Sequence, residues 1–163
     1  MHSGVPQRFV KWLRLAPPQT RYLAEHLDAE LLPILGHYGF EPVGAKSLLP
    51  DAPTRGCELQ LERLVDDVVD SVTFNFDKYH RPRFQVHADR RTRCLPHEFI
   101  RSCNLVAKAN QYLYFWGAPG LLPSRWWSDA ASDRTIKRVS VRVHQVIDWL
   151  EGGERGPNVS RPI

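Results

Sequence analysis

Residues 72–89, VTFNFDKYHRPRFQVHAD, alternate apolar and polar side chains on both sides of a short turn. A period of two is typical of an antiparallel hairpin that buries one face and leaves the other in water. If the turn is centred on His80, Phe76 faces Phe84, and the apolar side chains of both strands share one face. A shift of one residue would move all of them into water, so this pattern specifies the register.

The preceding stretch, residues 58–65 (ELQLERLV), alternates in the same way and leads into the pair Asp66-Asp67. With a two-residue turn at this pair, Leu61 faces Val72 and the apolar faces of the two hairpins coincide. The predicted buried face comprises Leu59, Leu61, Val72, Phe74, Phe76, Phe84, Val86 and Ala88.

Helical periodicity flanks this meander. Apolar residues recur at spacings of three and four from Leu23 to Tyr38, and Pro33 predicts a kink or break near Leu32 because it lacks a backbone donor. Residues 139–150 carry a second helical stripe that ends before a pair of glycines. We therefore predict an α+β fold, a three- or four-stranded antiparallel meander with helices packed on its apolar face.

The other segments have less regular patterns. Residues 41–56 contain three prolines and two glycines and predict a surface loop. Residues 95–110 have helical spacing, and residues 111–116 (QYLYFW) have the composition of a fourth strand. The polar tail from residue 152 predicts irregular structure. We expect residues 1–163 to form a single domain.

Composition also limits the class of protein. The chain of 163 residues is 42% hydrophobic and 25% charged, which is the profile of one globular core. No apolar run approaches the roughly 18 residues of a membrane span, and the N-terminal residues lack the apolar block of a signal peptide. Three cysteines are too few for a secreted disulfide framework. We therefore expect a cytoplasmic protein.

No motif in the sequence requires a cofactor or a metal. The spacing Cys94-x2-His97-x5-Cys103 suggests a metal site, but a structural zinc site takes four ligands in paired spacings and no second pair is present. Glycine-rich phosphate loops and the G-x-S-x-G, H-E-x-x-H and C-x-x-C motifs are also absent from the sequence. We expect neither a cofactor nor a metal.

Charge is segregated along the chain. Residues 1–24 carry a net charge of +4, residues 25–77 carry −8, residues 78–138 carry +8, and the remaining residues are balanced. Such segregation can produce oppositely charged surfaces that steer partners, or it can reflect pairing between neighbouring strands. We favour internal pairing for most of these charges.

The polar face of the predicted meander is the first candidate site. Its register gives one row of Glu62, Ser71 and Asp89, a second of Gln60, Thr73 and His87, and a third of Glu58, Asn75 and Gln85, with Asp77 facing Arg83. An imidazole near carboxylates suits general acid–base chemistry, so a small hydrolase or nuclease that uses His87 with Asp89 or Glu62 is one candidate function. Antiparallel sheets also commonly leave a polar face in solvent, where it can bind a partner or remain merely solvated.

Aromatic residues provide a second candidate surface. Trp126 and Trp127 lie in a segment broken by glycine and proline, and tryptophan is frequent among the residues that dominate binding energy. Two adjacent tryptophans cannot both be buried on one side of a strand, so one of them is a candidate exposed anchor. Trp116 is predicted to lie in the core.

A dense basic segment is the third candidate. It comprises Arg81, Arg83, Arg90, Arg91 and Arg93. Arginines at this density suit a nucleic-acid phosphate backbone. The acidic first half of the chain would repel phosphates, and no ribonucleoprotein or helix-turn-helix signature is present, so nucleic-acid binding is an alternative function.

A pattern-level resemblance favours protein binding. The helix ending LLPILGHYGF (residues 31–40), the strands ELQLER, SVTFNF and RFQVHAD, and the later WW pair resemble small cytosolic bacterial α+β domains of unknown function, some of which are immunity proteins that neutralise a cognate toxin. The resemblance covers roughly residues 31–127 and carries over no catalytic residues. It implies a protein-binding module that occludes the basic active site of a toxin with carboxylates. The expected partner-binding residues are Glu58, Glu62, Asn75, Asp77, His87, Asp89, Trp126 and Trp127.

Overall fold

The structure is a computed structural model, and it describes residues 4–46, 56–79, 81–95, 98–107, 115–117 and 127–160. The helices are α1 (Gln7–Leu15), α2 (Pro18–His26), α3 (Leu32–His37), α4 (Asp129–Ser140) and α5 (Val143–Leu150), with a π-helical turn at Leu27–Leu31 between α2 and α3. The strands are β1 (Glu41–Lys46), β2 (Glu58–Val65), β3 (Val68–Phe76), β4 (Arg83–Thr92), β5 (Phe99–Leu105), β6 (Phe115–Gly117) and β7 (Val159–Ser160). The predicted α+β class is confirmed.

One antiparallel sheet of seven strands is the centre of the fold. Its strand order is β1-β2-β3-β4-β5-β7, and β6 pairs with β4 outside this sequence of neighbours. Strand β4 is long enough to share one edge between two partners, because residues 83–85 pair with β6 and residues 86–91 pair with β5.

Both hairpins have the predicted register. Leu61 faces Val72 across β2 and β3, and Phe76 faces Phe84 across β3 and β4. The first turn closes at Asp66, whose φ of 54° lies in the left-handed region that aspartate tolerates better than most residues. The period of two therefore predicted the centre of the sheet correctly, even without a glycine in this turn.

The sheet is wider than the predicted three or four strands. Within the predicted loop 41–56, residues Glu41–Lys46 form β1 along the outer edge of β2. The tail predicted to be irregular contains β7, whose Val159 is buried beside Leu105. Of the predicted fourth strand, Phe115–Gly117 forms β6, whereas residues 111–114 lie outside the described residues.

The helix predicted over residues 95–110 is wrong, because Phe99–Leu105 is strand β5. In β5 the side chains of Cys103 and Leu105 face the core, while Ser102 and Asn104 remain partly exposed. This is the alternation of a strand. The apolar residues of the segment also fit a spacing of three and four, which produced the error.

The break predicted near Leu32 is confirmed. Helix α2 continues into the π-helical turn, and α3 begins at Leu32 with Pro33 in its first turn. A proline is tolerated there because the first backbone donors of a helix have no partner within it. The last helical stripe is divided into α4 and α5 at Val141 and Arg142.

The helices cover the apolar face of the sheet. On α1, the rings of Phe9 and Trp12 pack against Phe76, with centroids 5.8 and 4.8 Å away. Trp116 is 2% exposed and its Nε1 donates a hydrogen bond to the carbonyl oxygen of Leu105 at 2.9 Å, which confirms its core position. Burying each such side chain contributes about 1.5–3 kcal/mol.

A buried ion cluster lies at one end of this apolar face. Asp70 is fully buried, and it accepts hydrogen bonds from Arg63 Nε at 3.0 Å and from Arg90 Nε at 2.6 Å. Arg63 also donates to the carbonyl oxygen of Tyr38 and to Glu151, so the cluster joins the ends of α3 and α5 to the sheet. The carboxylate of Asp70 is thus paired with a guanidinium group on each side.

We expect Asp70→Asn to destabilise the fold by about 3–5 kcal/mol, because it removes the carboxylate that Arg63 and Arg90 share and leaves Arg63 paired only with the half-exposed Glu151. Urea unfolding followed by circular dichroism measures this difference. The matched control is Asp148→Asn on the exposed side of α5, for which we expect a change within about 0.5 kcal/mol. Equal stabilities of the two variants would contradict a stabilising role for the cluster.

Candidate functional site

Polar side chains of β2 to β5 also line the sheet face opposite the helices, which we call the open face. The structure confirms the predicted rows and extends them onto β1 and β5. One row, the carboxylate row, comprises Glu41, Glu62, Ser71, Asp89 and Ser102. The next comprises Gly44, Gln60, Thr73, His87, Asn104 and Ser160. The third comprises Glu58, Asn75 and Gln85.

Glu62 lies near the middle of the carboxylate row and is well paired. Its Oε1 accepts hydrogen bonds from Gln60 Nε2 at 2.9 Å and from Ser71 Oγ at 3.4 Å. The same oxygen also accepts a hydrogen bond from Arg91 Nη2. The charge of Glu62 is therefore compensated by a neighbour on β4.

Asp89 lies in the same row but is poorly paired. It is 6% exposed, and its Oδ1 is buried and accepts no hydrogen bond within the described part of the chain. Arg91 Nη1 is 3.6 Å from this oxygen, which is too far for a hydrogen bond. Burial raises the pKa of Asp89; Arg91 and His87 oppose this shift, and the charges of Glu62 and Asp70 add to it.

His87 is held in one orientation. Its Nδ1 is 3.0 Å from Oδ1 of Asn104, and a carbonyl oxygen only accepts, so Nδ1 carries the proton in this pair. Nε2, on the other side of the ring, is not engaged in this contact. Asp89 follows two residues later on the same face, at about 7 Å by strand geometry. The structure therefore brings together the imidazole and the carboxylates that the sequence predicted.

An exposed apolar row lies beside the carboxylate row, and sequence analysis did not identify it. It consists of Leu64, Val69 and Phe99 with Arg91 between them, in the register of β2 to β5. Leu64 is 56% and Phe99 is 57% exposed, and Ile100, at a bulge in β5, is 51% exposed. The helix predicted over residues 95–110 did not place Phe99 on the sheet, so sequence analysis could not identify this row.

Most of the basic segment is paired internally, as the charge pattern predicted. The pairs Asp77–Arg83, Asp70–Arg90 and Glu62–Arg91 join the acidic and basic segments of the chain. Asp77 is 4% exposed and its Oδ2 accepts a hydrogen bond from Arg83 Nε at 2.8 Å, so the charge of this predicted partner-binding carboxylate is already compensated within the protein.

The two remaining arginines of the segment lie far apart. Arg81 precedes β4, where its Nε is 3.9 Å from Asp77, and Arg93 follows β4 and is exposed. A strand of this length separates them by roughly 35 Å. The five arginines are therefore spread along β4, and three of them pair with carboxylates.

Trp127 lies away from the carboxylate row. Trp127 is partly buried in a crevice with Pro82 and Gly117, at the junction of β6 and α4. This crevice is near the start of β4, whereas Asp89 is near its end. Trp126 lies outside the described residues.

The cysteines and the groups that bind metals can be located only in part. Within them, no group of three or more histidine, cysteine, aspartate or glutamate side chains is arranged to hold a metal ion. Cys103 lies in the core, where burial raises its pKa to about 12, so it is not a nucleophile near neutral pH. Cys94 is exposed, and His97 lies outside the described residues. None of the helices that the structure describes has the length and apolar character to span a bilayer.

Comparisons of the chain with protein-family models, with curated proteins and with solved structures find no match. Interpretation of the open face therefore rests on its own geometry and charge.

We expect Asp89→Asn to raise the free energy of unfolding at pH 7. The raised pKa means that the folded protein holds this proton more tightly than the unfolded chain, so stability falls as the pH rises above the unfolded value of about 3.9 and through the folded value. The neutral asparagine removes the free-energy cost of burying the ionised carboxylate. Urea unfolding across this range should show the advantage shrinking as the pH falls towards about 4, and a variant less stable than the natural protein at pH 7 would contradict it.

Proposed function

We propose that this protein binds another protein through the open face of its sheet. The observation that carries the proposal is the exposed apolar row of Leu64, Val69 and Phe99, with Ile100 at its end, beside the carboxylate row. Leu64, Phe99 and Ile100 are exposed and Val69 is partly buried; exposed apolar side chains grouped among polar ones are typical of protein contact surfaces. A broad sheet face also suits a macromolecule better than a small ligand, which binds in a concave pocket.

The energetics of Asp89 support the same proposal. Its Oδ1 accepts no hydrogen bond and the nearest guanidinium, that of Arg91, is 3.6 Å away, so burial outweighs this attraction and the charge costs stability in the free protein. Residues that reduce stability in this way are frequent at functional sites. Asp70 on the other face is equally buried but fully paired, so burial of a carboxylate alone does not explain the difference.

A toxin-neutralising, immunity-type role is the specific form of this proposal. Glu58, Glu62 and Asp89 would face the basic active site of a toxin and occlude it, with charge complementarity raising the association rate. Since Arg91 already compensates Glu62, most of this attraction would come from Glu58 and Asp89. The apolar row would supply affinity that does not depend on charge.

A hydrolase or nuclease that uses His87 is the second candidate, and the contact with Asn104 is the observation that favours it. This contact leaves Nε2 of His87 as a possible general base, with Asp89 and Glu62 nearby. Under this alternative, His87→Ala abolishes hydrolysis of single-stranded RNA or of an activated ester, and His144→Ala on the surface of α5 does not. Equal rates for both variants would exclude it.

We expect the double variant Phe99→Ala/Ile100→Ala to lose the protein partner, because truncating central apolar contacts typically costs more than about 1 kcal/mol each. The measurement is affinity capture of the tagged protein from lysate of its native cells, quantified by mass spectrometry. The matched control is Leu15→Ala/Val141→Ala, which removes similarly exposed apolar side chains from the helical layer. A partner retained by the first variant and lost by the control would place the contact surface on the helices instead.

A further inference from the structure

The open face has more negative than positive charge. Among the described side chains, its rows include the carboxylates of Glu41, Glu58, Glu62 and Asp89 and one guanidinium, that of Arg91. Asp66 and Asp67 add further acidic charge at the adjacent turn. A partner that covers this face therefore has to bring positive charge to it.

The same face also has buried acceptors without donors. Oδ1 of Asp89 and Oδ1 of Asn75 are both buried, and neither accepts a hydrogen bond from the residues that the structure describes. Buried acceptors are normally satisfied, and leaving one unsatisfied costs stability. An N–H or O–H group from outside the described residues, water included, would satisfy either atom.

Arg91 does not fill this role for Asp89. Its Nη2 is committed to Glu62, and Nη1 remains 3.6 Å from Oδ1 of Asp89. The neighbouring residues of the row, Ser71 and Ser102, have short uncharged side chains; Ser71 is fully buried and Ser102 is partly exposed. The apolar row begins immediately beyond Arg91.

We propose that the open face receives an arginine side chain of the partner protein, which donates hydrogen bonds to Asp89 and Glu62. This inference rests on the proposed protein-binding function and adds the chemistry of the residue that is recognised. Arginine fits better than lysine because its planar guanidinium presents several donors in a fixed fork and is weakly hydrated, so it also packs beside apolar groups such as Phe99. The apolar row would accommodate the residues that flank the arginine.

The test is a titration of the ¹⁵N-labelled protein with N-acetyl-arginine methylamide, followed by NMR at constant ionic strength. The neutral isostere N-acetyl-citrulline methylamide is the control ligand. We expect saturable shifts at the backbone amides of Ser71, Asp89 and Ser102 with the arginine compound only. Asp89→Asn should weaken this binding by about tenfold or more, since the charge that remains is already paired with Arg91.

Glu62→Gln is a second variant that should weaken binding, and Glu41→Gln is the matched control. Glu41 lies in the same row but is exposed at the edge strand, so its charge should change affinity by no more than about twofold. Equal shifts with both ligands, or unchanged affinity in both Asp89→Asn and Glu62→Gln, would overturn the inference.

The capture experiment separates this inference from the function on which it rests. If Phe99→Ala/Ile100→Ala loses the partner and Asp89→Asn retains it fully, the protein-binding function stands and recognition of an arginine is wrong. If the Phe99/Ile100 variant retains the partner, the proposed contact surface itself fails. Loss of the partner in both variants, with the arginine titration as expected, supports both proposals.

Discussion

The antiparallel register of β2, β3 and β4 is the constraint on which the rest of the structure depends. Because successive side chains point to opposite faces, this register places Phe74 under the helices and Asp89 on the open face. The ion cluster reinforces it, since Arg63, Asp70 and Arg90 stand side by side on adjacent strands only in this alignment. The same register therefore determines both the core and the candidate site.

Two buried aspartates on opposite faces of the sheet show how similar burial leads to different roles. Asp70 accepts hydrogen bonds from two guanidinium groups, and its charge stabilises the packing of the helix ends. Asp89 has a single cation at 3.6 Å and an oxygen without a donor. The same chemical group is thus structural where its partners lie within the chain and a candidate for recognition where they do not.

The sequence was most informative where a single periodicity was unambiguous. The strict alternation of β2, β3 and β4 predicted their register, the rows of the open face and the pairing of charges. Strand β5 was missed because Phe99 and Cys103 also fit a helical spacing, and β1 because Pro42 and Gly44 suggested a loop. The apolar row could not be predicted for the same reason, since it exists only when β5 lies beside β4. The strand structure of β1 and β5 depends on contacts between segments that are distant in sequence, and local patterns do not reveal such contacts.

The bulge in β5 has a consequence for self-association. Among the described residues, β7 covers only Asn104 and Leu105 of the outer edge of β5, and the edge nearer Phe99 has no strand beside it. A regular, apolar edge of this kind would be a template for stacking identical chains into aggregates. The extra residue at Ile100 interrupts the even spacing of backbone donors and acceptors and twists the strand. The bulge therefore lets the protein expose apolar side chains on the open face, while the interrupted edge of β5 remains a poor template for fibre growth.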